Sequence, residues 1–245
     1  MTTSFDALGV APDLAGVLAA QGKTHAFAIQ ELTIADALAG RDVCGKAKTG
    51  SGKTLAFGLP VLQTVKTAEP SRPRAIILVP TRELATQVKE ELEPIGAVRD
   101  ITVSAIYGGA DIEKQIKKLK AGVEVIAATP GRMIDLIDRK ELDLTDVGIV
   151  VLDEADRMAD MGFMPQVEWI LRHIPGDHQT LLFSATLDGV VQGLIDRYQT
   201  DPVRHEVESE GVTVSSMTQR FLRVHQMGKM KVAAAISRSG TKTLM

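Results

Sequence analysis

Two hydrophobic rhythms alternate along this 245-residue chain. Short continuous apolar runs stand at Ala75-Ile76-Ile77-Leu78-Val79, Thr102-Val103-Ser104-Ala105-Ile106, Glu124-Val125-Ile126-Ala127-Ala128, Ile149-Val150-Val151-Leu152 and Thr180-Leu181-Leu182-Phe183. Runs of that length suit parallel strands covered on both faces. Between them, apolar residues return every three or four positions, the spacing of an amphipathic helix. Leu14, Val17 and Leu18 predict a helix ending near Ala20, and Ile34, Ala37 and Leu38 one that leads to Gly40. Further helices are predicted from Leu55 to about Val65, from Thr81 through Leu92, around Ile112, Ile116 and Leu119, and up to about Arg139. Helices over Gln166 to His173 and Val190 to Tyr198, then a strand over Val203 to Val207, complete the pattern. Met158, Met161 and Met164, three apart, and the single Trp169 are expected in the core.

Strands alternating with helices predict an α/β fold: a doubly wound parallel sheet with helices on both faces. Polar clusters follow nearly every strand. Ligands in such sheets bind outside the carboxyl ends of the strands, so these clusters are expected along one rim. From Glu208 to Ser216 the chain turns polar and loses its apolar period. The expectation is one domain over residues 1–208, a linker over 209–219, and the truncated start of a second domain over 220–245. Phe221 to Val224, Met230 to Ile236 and Thr241 to Met245 read as strand, helix and strand, too little to bury an apolar face alone.

A formal net charge of −3 makes nucleic-acid binding a matter of a local patch and not of a general field. Lys114, Lys117, Lys118 and Lys120 are read as a solvated helix face. The lone Cys44 excludes an internal disulfide and reads as packing. The five histidines show no metal-ligand spacing. No signal-peptide pattern and no apolar run of membrane-spanning length is present, and the expected location is cytoplasmic, with no membrane partner.

Chemistry concentrates first at Ala47-Lys48-Thr49-Gly50-Ser51-Gly52-Lys53-Thr54. Small flexible residues followed by Gly-Lys-Thr at a helix start form a phosphate-binding loop. Gly50 and Gly52 let backbone N–H groups turn inward around an anion. Lys53 is placed to reach the β- and γ-phosphates, and Thr54 offers a hydroxyl to Mg²⁺. The next helix aims its positive end at the phosphates. Ala47 stands where the general pattern has Gly; the apolar Val43 and Cys44 before the loop supply the context the motif requires. About a hundred residues on, Asp153 and Glu154 follow an apolar strand. There a first carboxylate can hold the Mg²⁺ shell and a second can orient and deprotonate a water.

With Asp153-Glu154-Ala155-Asp156 in place, the chain resembles the N-terminal RecA-like P-loop domain of a DEAD-box RNA helicase. Pro80-Thr81-Arg82-Glu83-Leu84-Ala85, Gly108-Gly109, Thr129-Pro130-Gly131-Arg132 and Ser184-Ala185-Thr186 match that family in type, order and spacing, and Ala47 is ordinary within it. The resemblance implies an ATP hydrolase with ATP and Mg²⁺ as cofactors. It implies catalytic Lys53, Asp153 and Glu154, with Thr54 and Asp153 on the metal. The Gly22-to-Gln30 stretch is similar to the family's adenine-reading motif, with Gln30 pairing adenine N6 and N7 and Phe5 supporting the base. Lys23 belongs to the same nucleotide-binding set, although the family often has an aromatic there, and Ala26-Phe27 replace its Pro-Thr. Pro80, Thr81, Arg82, Gly109, Thr129, Pro130, Gly131 and Arg132 correspond to RNA-contacting positions. None reads a base edge, so sequence-independent backbone contact is expected. Asp156, Ser184 and Thr186 would couple nucleotide state to strand opening, unless the last two form a plain strand-end turn. The implied function is the first domain of an ATP-dependent RNA helicase, with little hydrolysis or unwinding in the absence of the second domain. The alternatives are an ATP-switched RNA clamp without processive unwinding, and a DNA-directed helicase or other P-loop ATPase.

Overall fold

The computed structural model describes residues 3–187, 189–207, 230–232 and 234–235. The chain divides into two compact units, Met1–Ser209 and Glu210–Met245. In the second unit, residues 230–232 and 234–235 are helical. The expected linker and the strands expected at 221–224 and 241–245 lie outside the described residues.

The first unit holds a parallel sheet of seven strands: β1 (Val43–Lys46), β2 (Ala75–Leu78), β3 (Val103–Ile106), β4 (Val125–Ala128), β5 (Ile149–Asp153), β6 (Gln179–Ser184) and β7 (Val203–Glu206). Their order across the sheet is β3-β4-β2-β5-β6-β1-β7. The chain starts at β1, moves outward through β2 to the edge strand β3, and returns through β4, β5 and β6 to β7. Right-handed crossovers put the helices of an outward trip on one face and those of the return on the other. Accordingly α1 (Pro12–Ala20), α2 (Ala28–Leu38), α3 (Lys53–Thr64) and α4 (Arg82–Gly96) share one core. The helices α5 (Ile112–Lys120), α6 (Pro130–Asp138), α7 (Ala155–Asp160), α8 (Met164–Arg172) and α9 (Gly189–Tyr198) share the other. Side chains of the central strands alternate between the two: Ala75 and Ile77 of β2 enter the first core, Ile76 and Leu78 the second.

Three local expectations need correction. The three methionines do not share one core-facing helix: α7 ends at Asp160, Gly162 takes φ 76°, and α8 begins at Met164. Met158 and Met164 are buried, but Met161 sits at the break and is 46% exposed. Trp169 is half-buried, its ring stacked on His173 at 3.6 Å between centroids, at the margin of the core. α4 continues past Leu92 to Gly96 with Pro94 inside it. That proline withholds a donor from the carbonyl of Glu90, an exposed residue whose carbonyl water can serve. Among the described residues, no helix is long and apolar enough to cross a membrane.

Candidate functional site

Because every strand runs in the same direction, the loops after β1, β5 and β6 emerge side by side. The phosphate-type loop, residues 47–54, follows β1, with Gly50 and Gly52 at φ 83° and 89°. α3 begins at Lys53, which is 6% exposed. Its Nζ lies 3.7 Å from Asp153 Oδ1 and has no hydrogen-bond acceptor. Burial pushes the Asp153 carboxyl up to about 6, against the downward pull of the Lys53 ammonium. Glu154 is buried in the left-handed region at φ 51°, at the start of α7. Its carboxylate accepts a hydrogen bond from Thr49 Oγ1 at 3.0 Å and another from Arg157 Nη1 at 3.1 Å.

β6 lies between the two motif-bearing strands, and Ser184 at its end touches both motifs. Its carbonyl accepts from Ala47 N at 2.9 Å, and its hydroxyl accepts from Asp156 N at 3.1 Å. Asp156 Oδ2 in turn accepts from Ala185 N and Thr186 N, each at 3.2 Å, with Thr186 Oγ1 at 3.5 Å. The segment is thus more than a strand-end turn: it joins loop, carboxylates and β6 into one network.

The stretch from Gly22 to Gln30 closes a cleft of about 340 Å³ beside the loop, lined by Phe5, Lys23, Phe27, Gln30, Gly52 and Leu55 among others. Gln30 lies in the first turn of α2. Its Oε1 accepts from Phe27 N at 2.8 Å and its Nε2 donates to Gly52 O at 2.8 Å. An amide carries two N–H donors and two acceptor lone pairs, so each end of Gln30 retains one further bond. Phe5 is buried to 3% exposure, and the Lys23 ammonium is paired with Glu91 at 3.2 Å.

The loops after β2, β3 and β4 form the neighbouring part of the same rim. They are tied in series, Val79 N donating to Ala128 O and Thr129 N to Ile106 O, both at 3.0 Å. Thr81 caps α4, its hydroxyl accepting from Leu84 N at 3.3 Å. Arg82, Gly109 and Gly131 are exposed, whereas Pro80 and Pro130 are buried and can only steer the chain. Arg132 donates from Nη1 to Ala110 O and to Gln115 Oε1, both at 3.2 Å.

Two participants, Gln115 and Arg157, escape sequence reasoning, as does the contact that the loop residue Thr49 makes with Glu154. Gln115, buried on α5, donates to Tyr107 O at 3.0 Å and so bolts the Gly108-Gly109 loop to Arg132. Arg157 holds Glu154, and Thr49 reaches it across 105 residues of sequence. A polar residue at a buried helix position is the only sequence signal, and it applies to Gln115 alone. Cys44 is buried in β1, where burial pushes its thiol up to about 11, consistent with packing. A larger cleft of about 770 Å³ opens on the opposite rim, at the amino ends of β1 and β6. Its buried carboxylate, Asp42, accepts from Thr180 N and Thr200 N at 2.7 and 2.6 Å and holds strands together. Chemistry, not cavity size, locates the site.

A phosphate loop, paired carboxylates and a Ser-Ala-Thr bridge on one rim coincide with a match to the family model for DEAD/DEAH box helicases over residues 27–194. The chain belongs to the DEAD/DEAH box helicase family. It is 44% identical over 230 residues to a protein of Geobacillus kaustophilus named DEAD-box ATP-dependent RNA helicase CshA, covering 94% of this chain and 49% of that one. The Bacillus subtilis protein of the same name is 42% identical, with 94% and 46% covered. The chain therefore spans about half the length of these family members. Among solved structures, a DEAD box protein from Methanococcus jannaschii superposes with TM-score 0.79 at 33% identity, covering 96% of this chain and 63% of that one. The yeast DEAD-box splicing factor Prp28 gives 0.77 at 33% identity, with 84% and 51% covered. The RecA-like architecture expected from the sequence is thus the fold of the family.

Proposed function

We propose that this chain is the first domain of an ATP-dependent RNA helicase, binding ATP or ADP with Mg²⁺ and the backbone of RNA. The observation that carries the reading is the buried Lys53 ammonium, which has a carboxylate beside it and no hydrogen-bond acceptor. Such a group is poised for an anion. Lys53 would turn from Asp153 to the β- and γ-phosphates, and the amides of residues 49–54 would wrap them. Thr54 and Asp153 would hold Mg²⁺, a metal that typically takes one or two carboxylates together with substrate phosphates. When bound, Mg²⁺ supplies charge neutralisation on the β- and γ-oxygens. Release of Thr49 would free one Glu154 oxygen to orient and accept a proton from water. The spare N–H and lone pair of Gln30 match adenine N6 and N7, which favours ATP over GTP.

Thr81, Arg82, Gly109, Thr129, Gly131 and Arg132 would grip RNA phosphates and leave base edges unread. The path from Ala47 through Ser184 to Asp156 supports a coupling role for Asp156, Ser184 and Thr186. Hydrolysis by the family requires arginines from a second domain, and an arginine finger contributes about 10³ to 10⁵ in rate. A general base contributes about 10² to 10⁴, so Glu154 alone cannot compensate. The test is ATP turnover, with and without RNA, for this chain and for a version extended through a second domain. The extended protein should exceed this chain by about 10³ or more. Equal turnover would refute the division of labour. RNA-stimulated turnover without separation of a short duplex would identify an ATP-switched clamp, and equal stimulation by DNA would remove the RNA assignment.

A further inference from the structure

Phe27 is 60% exposed and lines the cleft beside the phosphate loop. It stands at the N-cap of α2 with extended backbone, φ −81° and ψ 161°, just ahead of the helix. Phenylalanine has no atom with which to cap. Gln30 ties the helix start instead, accepting from Phe27 N at 2.8 Å. The ring lies against the phosphate loop: a Cβ built on Gly52 would fall 2.7 Å from Phe27 Cδ2. It therefore sits beside both the residue suited to reading adenine and the loop suited to holding phosphate, which Gln30 also touches at Gly52. The other candidate platforms in the cleft are poorer. Phe5 is buried in the core, the Lys23 ammonium is paired with Glu91, and the His25 Nδ1 lies 2.9 Å from Thr24 Oγ1.

We propose that Phe27 is the aromatic platform on which the purine base of the bound nucleotide stacks. The inference rests on the nucleotide-site reading and adds to it a division of roles. Phe27 supplies affinity for any purine through its π-face, and Gln30 supplies discrimination through hydrogen bonds. The exposure of the ring is then that of a surface covered on binding.

Calorimetric titration of the 245-residue chain with ADP and, separately, with inorganic tripolyphosphate tests this. Phe27→Ala should raise the Kd for ADP about 5- to 150-fold, the range for losing one base–aromatic stack. Tripolyphosphate, which has no base, should bind as before, and Phe27→Trp should keep the original ADP affinity. Unchanged ADP binding by Phe27→Ala overturns the proposal. So does equal weakening of both ligands, which would mean that the ring merely shapes the loop, or transfer of the ADP-specific loss to His25→Ala. Far-ultraviolet circular dichroism checks folding; should Phe27→Ala fail it, Phe27→Leu applies the same two-ligand comparison. If the unaltered chain binds tripolyphosphate but ADP no more tightly, stacking is refuted while the phosphate site stands. If tripolyphosphate does not bind at all, the phosphate-site reading itself falls.

Discussion

Gly45 lies in β1, immediately before the phosphate loop, with Phe183 of β6 as its register partner. The Phe183 ring leans over Gly45 and meets Phe57 of α3 at 5.5 Å between centroids, tilted by 57°. A Cβ on residue 45 would fall 2.6 Å from Phe183 Cε1, 2.7 Å from its Cδ1 and 3.3 Å from Ile29 Cδ1. Phe183 and Phe57 are fully buried, so the ring cannot swing into solvent. Gly45→Ala must therefore displace Phe183 toward α3 or bend β1, and overpacking of this kind costs about 1–3 kcal/mol. For a domain of this size each kcal/mol lowers Tm by about 2–4 °C, so the melting temperature should drop by about 2–12 °C. Urea denaturation should show a lower midpoint at unchanged slope. Phe183→Leu removes the obstructing ring atoms and is itself destabilising, but in that background Gly45→Ala should cost far less. A Gly45→Ala protein as stable as the parent, or a penalty undiminished by Phe183→Leu, would refute the packing argument.

Other outcomes follow from the same geometry. Arg99 holds Asp13 in two hydrogen bonds, 2.6 and 2.8 Å, and keeps its carboxyl down at about 2. A folded-state value below the ordinary 3.8 stabilises above about pH 4 and is lost as pH falls toward 2; the urea midpoint of Asp13→Asn should be lower than the parent's at pH 6 and converge with it near pH 2. Gln115→Ala strips a partner from Arg132 and one from the Tyr107 carbonyl, so denaturation should reveal a loss of about 1–3 kcal/mol, and a neutral result would show that α5 does not hold the rim together. Arg132→Ala should weaken RNA binding equally for unrelated sequences and reduce the slope of log affinity against log salt by about 0.7; a sequence-selective loss would contradict backbone contact.

Much of this architecture was legible in the residue pattern. The apolar runs at Ala75, Val125 and Ile149 became strands because each residue type there tolerates burial on both faces. The phosphate loop and the Asp153-Glu154 pair were legible because each needs particular residues at fixed local spacing. The order of the strands was not, since periodicity says which face is buried and not which neighbour covers it. The exposure of Met161 was not legible, because methionines every three residues mimic one helix face while the chain turns at Gly162, whose positive φ separates α7 from α8. Contacts from Thr49 to Glu154 and from Gln115 to Arg132 depend on three-dimensional proximity that no local pattern encodes. Phe27 looked like a departure from its family's motif; only its exposure within the cleft gives it a role to test.

Lys53 is the most direct point of test, through calorimetric titration of ADP–Mg²⁺ into the parent chain and into Lys53→Ala. Removing one member of a desolvated charge contact costs about 2 kcal/mol or more, so nucleotide affinity should fall at least about 30-fold while the far-ultraviolet spectrum stays native. Identical binding isotherms for the two proteins would contradict the placement of the triphosphate at this loop.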